Sequence, residues 1–434
     1  MNRSSRPPLT DSSLTLLAKG YTWLPDRRRR TTAPVVRTRL MGQQAVALHG
    51  PDAVRFFYDE RHVERQTALP GPVLSTLFGH GAVHTLDGQA HRVRKEMFLS
   101  LLTGPDAVGG LVECVSAAWD EAVASWPGEP SVVLFDEASR ILTDGVCRWT
   151  GIPLLDDAGQ TARDLVAMVD GFATPGPRHW RARRARARCE AWLELLVTDV
   201  REGTAPAPAG SVLEAVSRHR DADGQPLDPH TAAVELLNVI RPTVAVCWFV
   251  SYAAHALHRD PAVRERLSED DAAYAIAFAH ELRRFYPFVP FLGARAVTDL
   301  EWQGEPIPSG TLVLLDVFGQ LHDPALWDDP YTFTPARFLG RPPERDGLIP
   351  QGGGDRVTGH RCPGEDVTVA LLAALGPRLA RLRYDVPEQD LRIPLTRLPA
   401  RVRSGFVIEA VREPVTASRT AKAASRGQTR TRAL

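Results

Sequence analysis

Cys362 sits in the run Gly359-His360-Arg361-Cys362-Pro363-Gly364-Glu365, shortly after Gln351-Gly352-Gly353-Gly354. Glycines have no β-carbon and let a main chain pass close to a flat macrocycle, while Pro363 stiffens the turn after the sulfur and removes an amide hydrogen. The stretch reads as a loop that presents the Cys362 thiolate to haem iron. Such a ligand pushes electron density onto the metal and favours O–O bond cleavage, which implies peroxide or dioxygen chemistry. Taken alone, Cys-Pro-Gly fits a buried thiol beside a flexible loop equally well.

A second candidate is Arg241-Pro242 within Asn238-Val239-Ile240-Arg241-Pro242-Thr243. A guanidinium among Val, Ile and Leu stays charged and is expensive to bury unpaired, so Arg241 requires an anion. Pro242 lacks the amide that would bond the Asn238 carbonyl, at a cost of about 3 kcal/mol inside a helix. A kink that makes room for a ligand is expected there. The residues alone also allow an internal carboxylate partner for Arg241 and a tolerated bend at Pro242. Glu281 and Arg284 share a helix face, a pairing found on many surface helices and weak on its own.

These groups need elements to hold them. Asp228-Pro229 supplies a cap and a first-turn proline for about thirty residues of helix-compatible sequence ending near Arg259. That helix is apolar nearly all round between Val234 and Tyr252 and is expected to run through the core. Asp366 to Leu382 reads as another buried helix, and Asp11-Ser12-Ser13 caps a short amphipathic one. Val35 to Leu48 reads as a β-hairpin around Met41-Gly42, and 295–316 as short strands. From Asp52 to about Val200 the pattern is helical, and the Pro/Ala-rich residues 203–212 read as a loop.

Composition sets the bounds. The 434 residues are 44% hydrophobic and 24% charged with a formal net charge of zero, as in a soluble globular protein without a dominant nucleic-acid partner. Arginine is dense at Arg27 to Arg30 and from Arg178 to Arg188, read as solvated faces. Five cysteines, 114, 147, 189, 247 and 362, show no C-x-x-C spacing, which suggests neither a zinc site nor a disulfide framework and fits a reducing cytoplasm. No secretory segment is evident and no apolar run approaches the roughly 18 to 20 residues of a membrane span, so no membrane anchor is expected.

The order Glu281/Arg284, then Pro335-Ala336-Arg337-Phe338, then the Cys362 loop resembles the cytochrome P-450 superfamily. The loop departs from the general pattern, with Asp355 and Thr358 where most members have Phe and Gly. Its longer, glycine-rich string is similar to that of the fatty-acid peroxygenase branch. Leu77-Phe78-Gly79-His80-Gly81-Ala82-Val83-His84 through His91-Arg92-Val93-Arg94-Lys95 resembles that branch as well. So do Val169-Asp170-Gly171-Phe172, Gly176-Pro177-Arg178-His179-Trp180, Arg283-Arg284-Phe285-Tyr286-Pro287-Phe288 and Ser404-Gly405-Phe406. The resemblance spans about residues 11–412, expected to form a single domain, with residues 1–10 and 415–434 as disordered tails.

The resemblance implies a mainly α fold with a small β-rich portion and haem b sandwiched between the long central helix and the cysteine loop. Glu281, Arg284 and Arg337 would form a structural ion network. Arg241-Pro242 would bind a fatty-acid carboxylate, which then shuttles a proton within hydrogen peroxide without a redox partner. Phe78, His84 and Phe288 would line the substrate pocket, and His84, titrating near neutrality, would add decarboxylation as a substantial secondary activity beside α/β-hydroxylation. His91, Lys95, His360 and Arg295 would contact the haem, His91 and Lys95 through a propionate. By themselves His91 and Lys95 are also a solvated basic face, and His84 a surface histidine. A reductase-dependent monooxygenase and a non-catalytic haem sensor are the rival readings.

Overall fold

The computed structural model describes residues 10–68, 70–154, 158–172 and 174–412. The segments read as tails, 1–10 and 415–434, lie outside this range except for Thr10. The architecture is mainly helical, with a five-stranded sheet and two smaller ones.

At the centre is the helix Pro229–Val244, started by the Asp228 carboxylate, which accepts from the Thr231 amide at 3.0 Å. Every residue from Ala232 to Ile240 is buried, so the all-round apolar pattern serves a core position. The segment 229–259 is long and apolar enough to cross a membrane, but 94% of its most apolar window is buried in the molecule. The helix is interrupted at a single residue, three positions past Pro242. The chain stays helical through the proline, where Thr243 Oγ1 adds a 2.9 Å bond to the Val239 carbonyl. It flattens at Ala245 (ψ −13°) before resuming as Val246–Arg259. The helices Ala272–Phe285 and Glu365–Arg381 pack together beside it and carry the Glu281 pair and the segment following Cys362.

The hairpin expected over Val35 to Leu48 is present as Val36–Leu40 and Gln43–Leu48, turning through Met41 and Gly42, both at positive φ (48° and 76°). Gln43–Leu48 pairs in parallel with Leu312–Asp316, which pairs antiparallel with Phe291–Ala296, and that strand with Val63–Glu64. The sheet thus brings Arg65 and Arg295, distant in sequence, to one edge.

Candidate active site

The Cys362 amide donates to the Gln351 carbonyl at 3.1 Å, and Gln351 Nε2 lies 3.6 Å from the sulfur. Burial pushes the thiol up, opposed by the Gly364 amide, Lys95 and Gln351. A β-carbon on Gly352, Gly353 or Gly354 would lie 2.4, 2.3 or 2.6 Å from atoms of Tyr58 or Val54, so these glycines admit the Pro51–Phe57 helix and Tyr58. Lys95, expected at a propionate, donates to the carbonyls of Gly359 and Arg361 and ties the Gly88–Leu102 helix to the cysteine loop. Burial lowers its ammonium to about 8.

His91 and His360 stack with ring centroids 3.9 Å apart, and His360 Nε2 lies 3.3 Å from the Asp87 carboxylate. Asp87 stands immediately before the Gly88–Leu102 helix, and its carboxylate accepts the amides of Arg65 and Gln66. Burial holds the His91 imidazole down at about 3, and its buried Nδ1 has no partner.

Arg241 is 5% exposed, and its one hydrogen bond runs from Nη2 to Asn238 Oδ1 at 3.0 Å. Nε is buried and unpaired, and no carboxylate among the described residues forms an ion pair with it. Burial and the positive field of Arg186 lower it to about 9, and the anionic group acting in the opposite sense is Cys362. The internal-carboxylate alternative is thereby removed. Phe78 lies under the guanidinium at 6.0 Å and against the His84 ring at 4.4 Å. His84 Nδ1 is also buried without a partner. Burial, then Arg241, His360, Lys95 and His91, push this imidazole well below its ordinary value. It is therefore neutral near pH 7, which corrects the expectation that it titrates there.

The residues fit a haem. A thiol with no cationic side chain in contact, and three buried nitrogens without partners on Arg241, His84 and His91, lie close enough for their charges to act on one another. Cys362 would hold the iron through its thiolate, with His91, His360 and the buried Arg65 nearby for the propionates. Arg65 stacks 4.2 Å from the Phe57 ring and gives one Nη1 bond to Gly293.

The Cytochrome P450 family model matches residues 269–398. Cytochrome P450SP alpha (CYP152B1), solved with (R)-ibuprophen, is 41% identical over 93% of this chain and 99% of that one, at a TM-score of 0.89. Cytochrome P450 OleT, solved without ligand, is 37% identical over 94% and 98%, at 0.91. Abscisic acid 8'-hydroxylase 3 of Oryza sativa subsp. indica is 26% identical over 78% of this chain and 72% of that protein. The chain belongs to the fatty-acid peroxygenase branch of the cytochrome P450 superfamily.

The ion network of this P450 is as the sequence implied. Arg284 binds Glu281 at 2.7 Å with both side chains fully buried, and Arg337 Nε is 3.1 Å from the same carboxylate. Phe288 packs on Trp248 and Phe249, just past the helix break. Arg295 spends its guanidinium on Thr67, Gly310 and Gln43, acceptors a propionate would have to displace. The arginine-rich 178–188 is only partly a solvated face. Arg178 pairs with Asp170, and Arg186, 2% exposed, donates to the carbonyls of Leu77 and Phe78. Sequence reasoning missed Arg65, which no motif flags, and Glu235, hidden within an apolar run.

Proposed function

We propose that this P450 uses hydrogen peroxide to oxidise fatty acids, with Arg241 holding the substrate carboxylate. The observation that carries this is a buried guanidinium with a free Nε and no protein carboxylate, next to Phe78 and His84. A planar two-pronged carboxylate satisfies it, as a neutral substrate does not. When bound, the haem with its thiolate ligand would supply the electron density that favours O–O cleavage, the peroxide being the oxidant. The chain supplies the rest. Asn238 orients Arg241, Arg241 orients the carboxylate, and that carboxylate performs the proton transfer for which Asn238 to Thr243 offer no acid. Neutral His84 is placed to hydrogen-bond the carboxyl end and to bias the outcome between α/β-hydroxylation and loss of carbon dioxide. Apolar chain burial at about 0.8 kcal/mol per methylene supplies affinity beyond the carboxylate.

OleT has been solved with arachidonic acid, which supports the substrate class. Residues 11–412 act as one catalytic domain, supported by the continuous match to single P450 chains. The five free thiols support a reducing, cytoplasmic setting.

The test is product analysis with saturated fatty acids of several lengths and hydrogen peroxide as sole oxidant. Hydroxy acids or terminal alkenes are expected. Turnover strictly dependent on electron-transfer proteins would overturn the reading in favour of a monooxygenase. A ferric spectrum unreactive to fatty acid and peroxide together would favour a sensor.

A further inference from the structure

Glu235 is fully buried on the central helix, six positions before Arg241, and its carboxylate is committed in three directions. Oε1 accepts the Val83 amide at 2.7 Å and Arg94 Nη1 at 2.7 Å, and Oε2 accepts Asn238 Nδ2 at 3.0 Å. Arg94 is anchored in turn by Asp221 and reaches the Gly81 carbonyl at 3.3 Å. Each contact leads to the site. Val83 opens the single turn Val83–Thr85 that carries His84. Asn238 gives its oxygen to Arg241 and its Nδ2 also to the Phe78 carbonyl at 3.1 Å. One buried anion thus holds both polar groups that face the substrate carboxyl.

We propose that Glu235 is a positioning residue: through the Val83 amide and the Asn238 side chain it fixes Arg241 relative to His84, and so sets carboxylate affinity and the ratio of decarboxylation to hydroxylation. The inference rests on the roles given above to Arg241 and His84. Glu235 is not placed as the missing acid, because three donors, one of them the Arg94 guanidinium, hold it as an acceptor.

Glu235→Gln keeps the shape but replaces one acceptor by a donor. If the amide nitrogen faces Asn238, donor meets donor, and the Asn238 amide must rotate and withdraw its oxygen from Arg241. Facing Val83 and Arg94 instead, it would meet two donors at once, one of them a guanidinium, so the arrangement that breaks the Asn238 arm is favoured.

The test uses the haem-loaded full-length enzyme with hydrogen peroxide and a saturated fatty acid. Glu235→Gln is expected to keep its haem content and reduced carbon monoxide band. It should raise KM about tenfold, the size of one lost hydrogen bond to a charged group, and shift the alkene to hydroxy-acid ratio at saturating substrate. The double variant with Asn238→Ala should raise KM no further than the larger single effect, since both act through one arm. Unchanged KM and product ratio in haem-replete Glu235→Gln, or fully additive KM effects, would overturn the proposal. If Glu235→Gln does not load haem, Asn238→Ala carries the test, and an unchanged KM there overturns the proposal. Wild-type enzyme inactive with peroxide would instead refute the peroxygenase reading. Fatty-acid affinity read from the optical shift of the haem band, without peroxide, then measures the Arg241 arm alone.

Discussion

The surroundings of Cys362 and of Arg241 handle buried charge in opposite ways. On the cysteine side Arg283 and Arg361 share Glu365, at 2.5 and 2.7 Å, and Arg284 and Arg337 share Glu281. On the other side Arg241 hydrogen-bonds, among the described residues, only a neutral amide oxygen, and His84 leaves a ring nitrogen unpaired there. Burying ions is tolerated where pairing and hydrogen bonds are complete. On the cysteine side each of these arginines has a carboxylate within the polypeptide, and the pairs serve stability. The Arg241 side stays incomplete until an anion enters, and its polar groups serve binding.

The largest expected effect lies on the cysteine side. Glu281→Ala leaves Arg284 and Arg337 without their carboxylate and frees the Thr334 amide, which Glu281 accepts at 2.7 Å. Breaking such a pair costs about 3–5 kcal/mol, so denaturant titration should show a sharply lowered midpoint and poor haem retention. Arg241→Leu sharpens the contrast. It should lower fatty-acid kcat/KM by roughly 10²-fold or more while leaving the denaturation midpoint equal or higher, since an unpaired guanidinium is removed. Loss of the thiolate carbon monoxide band in Arg241→Leu would place that residue on the structural side and break the comparison.

Acidification probes the cysteine side again. Burial holds His255, His280 and His322, packed around the Ala272–Phe285 helix, down at about 4. The folded protein keeps them neutral while the unfolded chain protonates them near 6.5, so the folded state binds fewer protons between those values. Their stabilising contribution is full above about 6.5 and is lost progressively as pH falls towards 4. Asp316, raised to about 7 by burial, works in the opposite sense, but it is one group against three. The thermal midpoint should fall as pH drops from 6.5 towards 4, and a midpoint that rises over that window contradicts this account.

Legibility in sequence followed the range of the interactions. Cys362, Arg241-Pro242 and Glu281/Arg284 were readable because the chemistry is carried by neighbours within one turn or loop. Helix and hairpin limits followed from local caps such as Asp228 and the Met41-Gly42 turn. Glu235 was not readable, because the amide it holds lies 152 positions away. The same distance problem hides the acceptors of Lys95, which are more than 260 residues on. Arg186 was nearer to hand. It shares a face with Ala182, Ala185 and Cys189, a helical spacing that marks it as inward while Arg183 and Arg184 point out.

The smallest expected effect is also the most specific. His84 lies 4.4 Å from Phe78 and is neutral, so it contributes a directional hydrogen bond rather than a charge. Glutamine offers similar donors and acceptors at similar length without the ring. His84→Gln should therefore leave stability and haem binding unchanged and alter kcat/KM only a few-fold, about one hydrogen bond's worth. The product mixture should move from alkene towards hydroxy acid. Quantifying both products by gas chromatography checks it, and wild-type enzyme giving no detectable alkene removes His84 from product control. In that event the open side still selects carboxylates through Arg241, and the choice of carbon attacked is set by how the Phe78 and Phe288 walls place the chain.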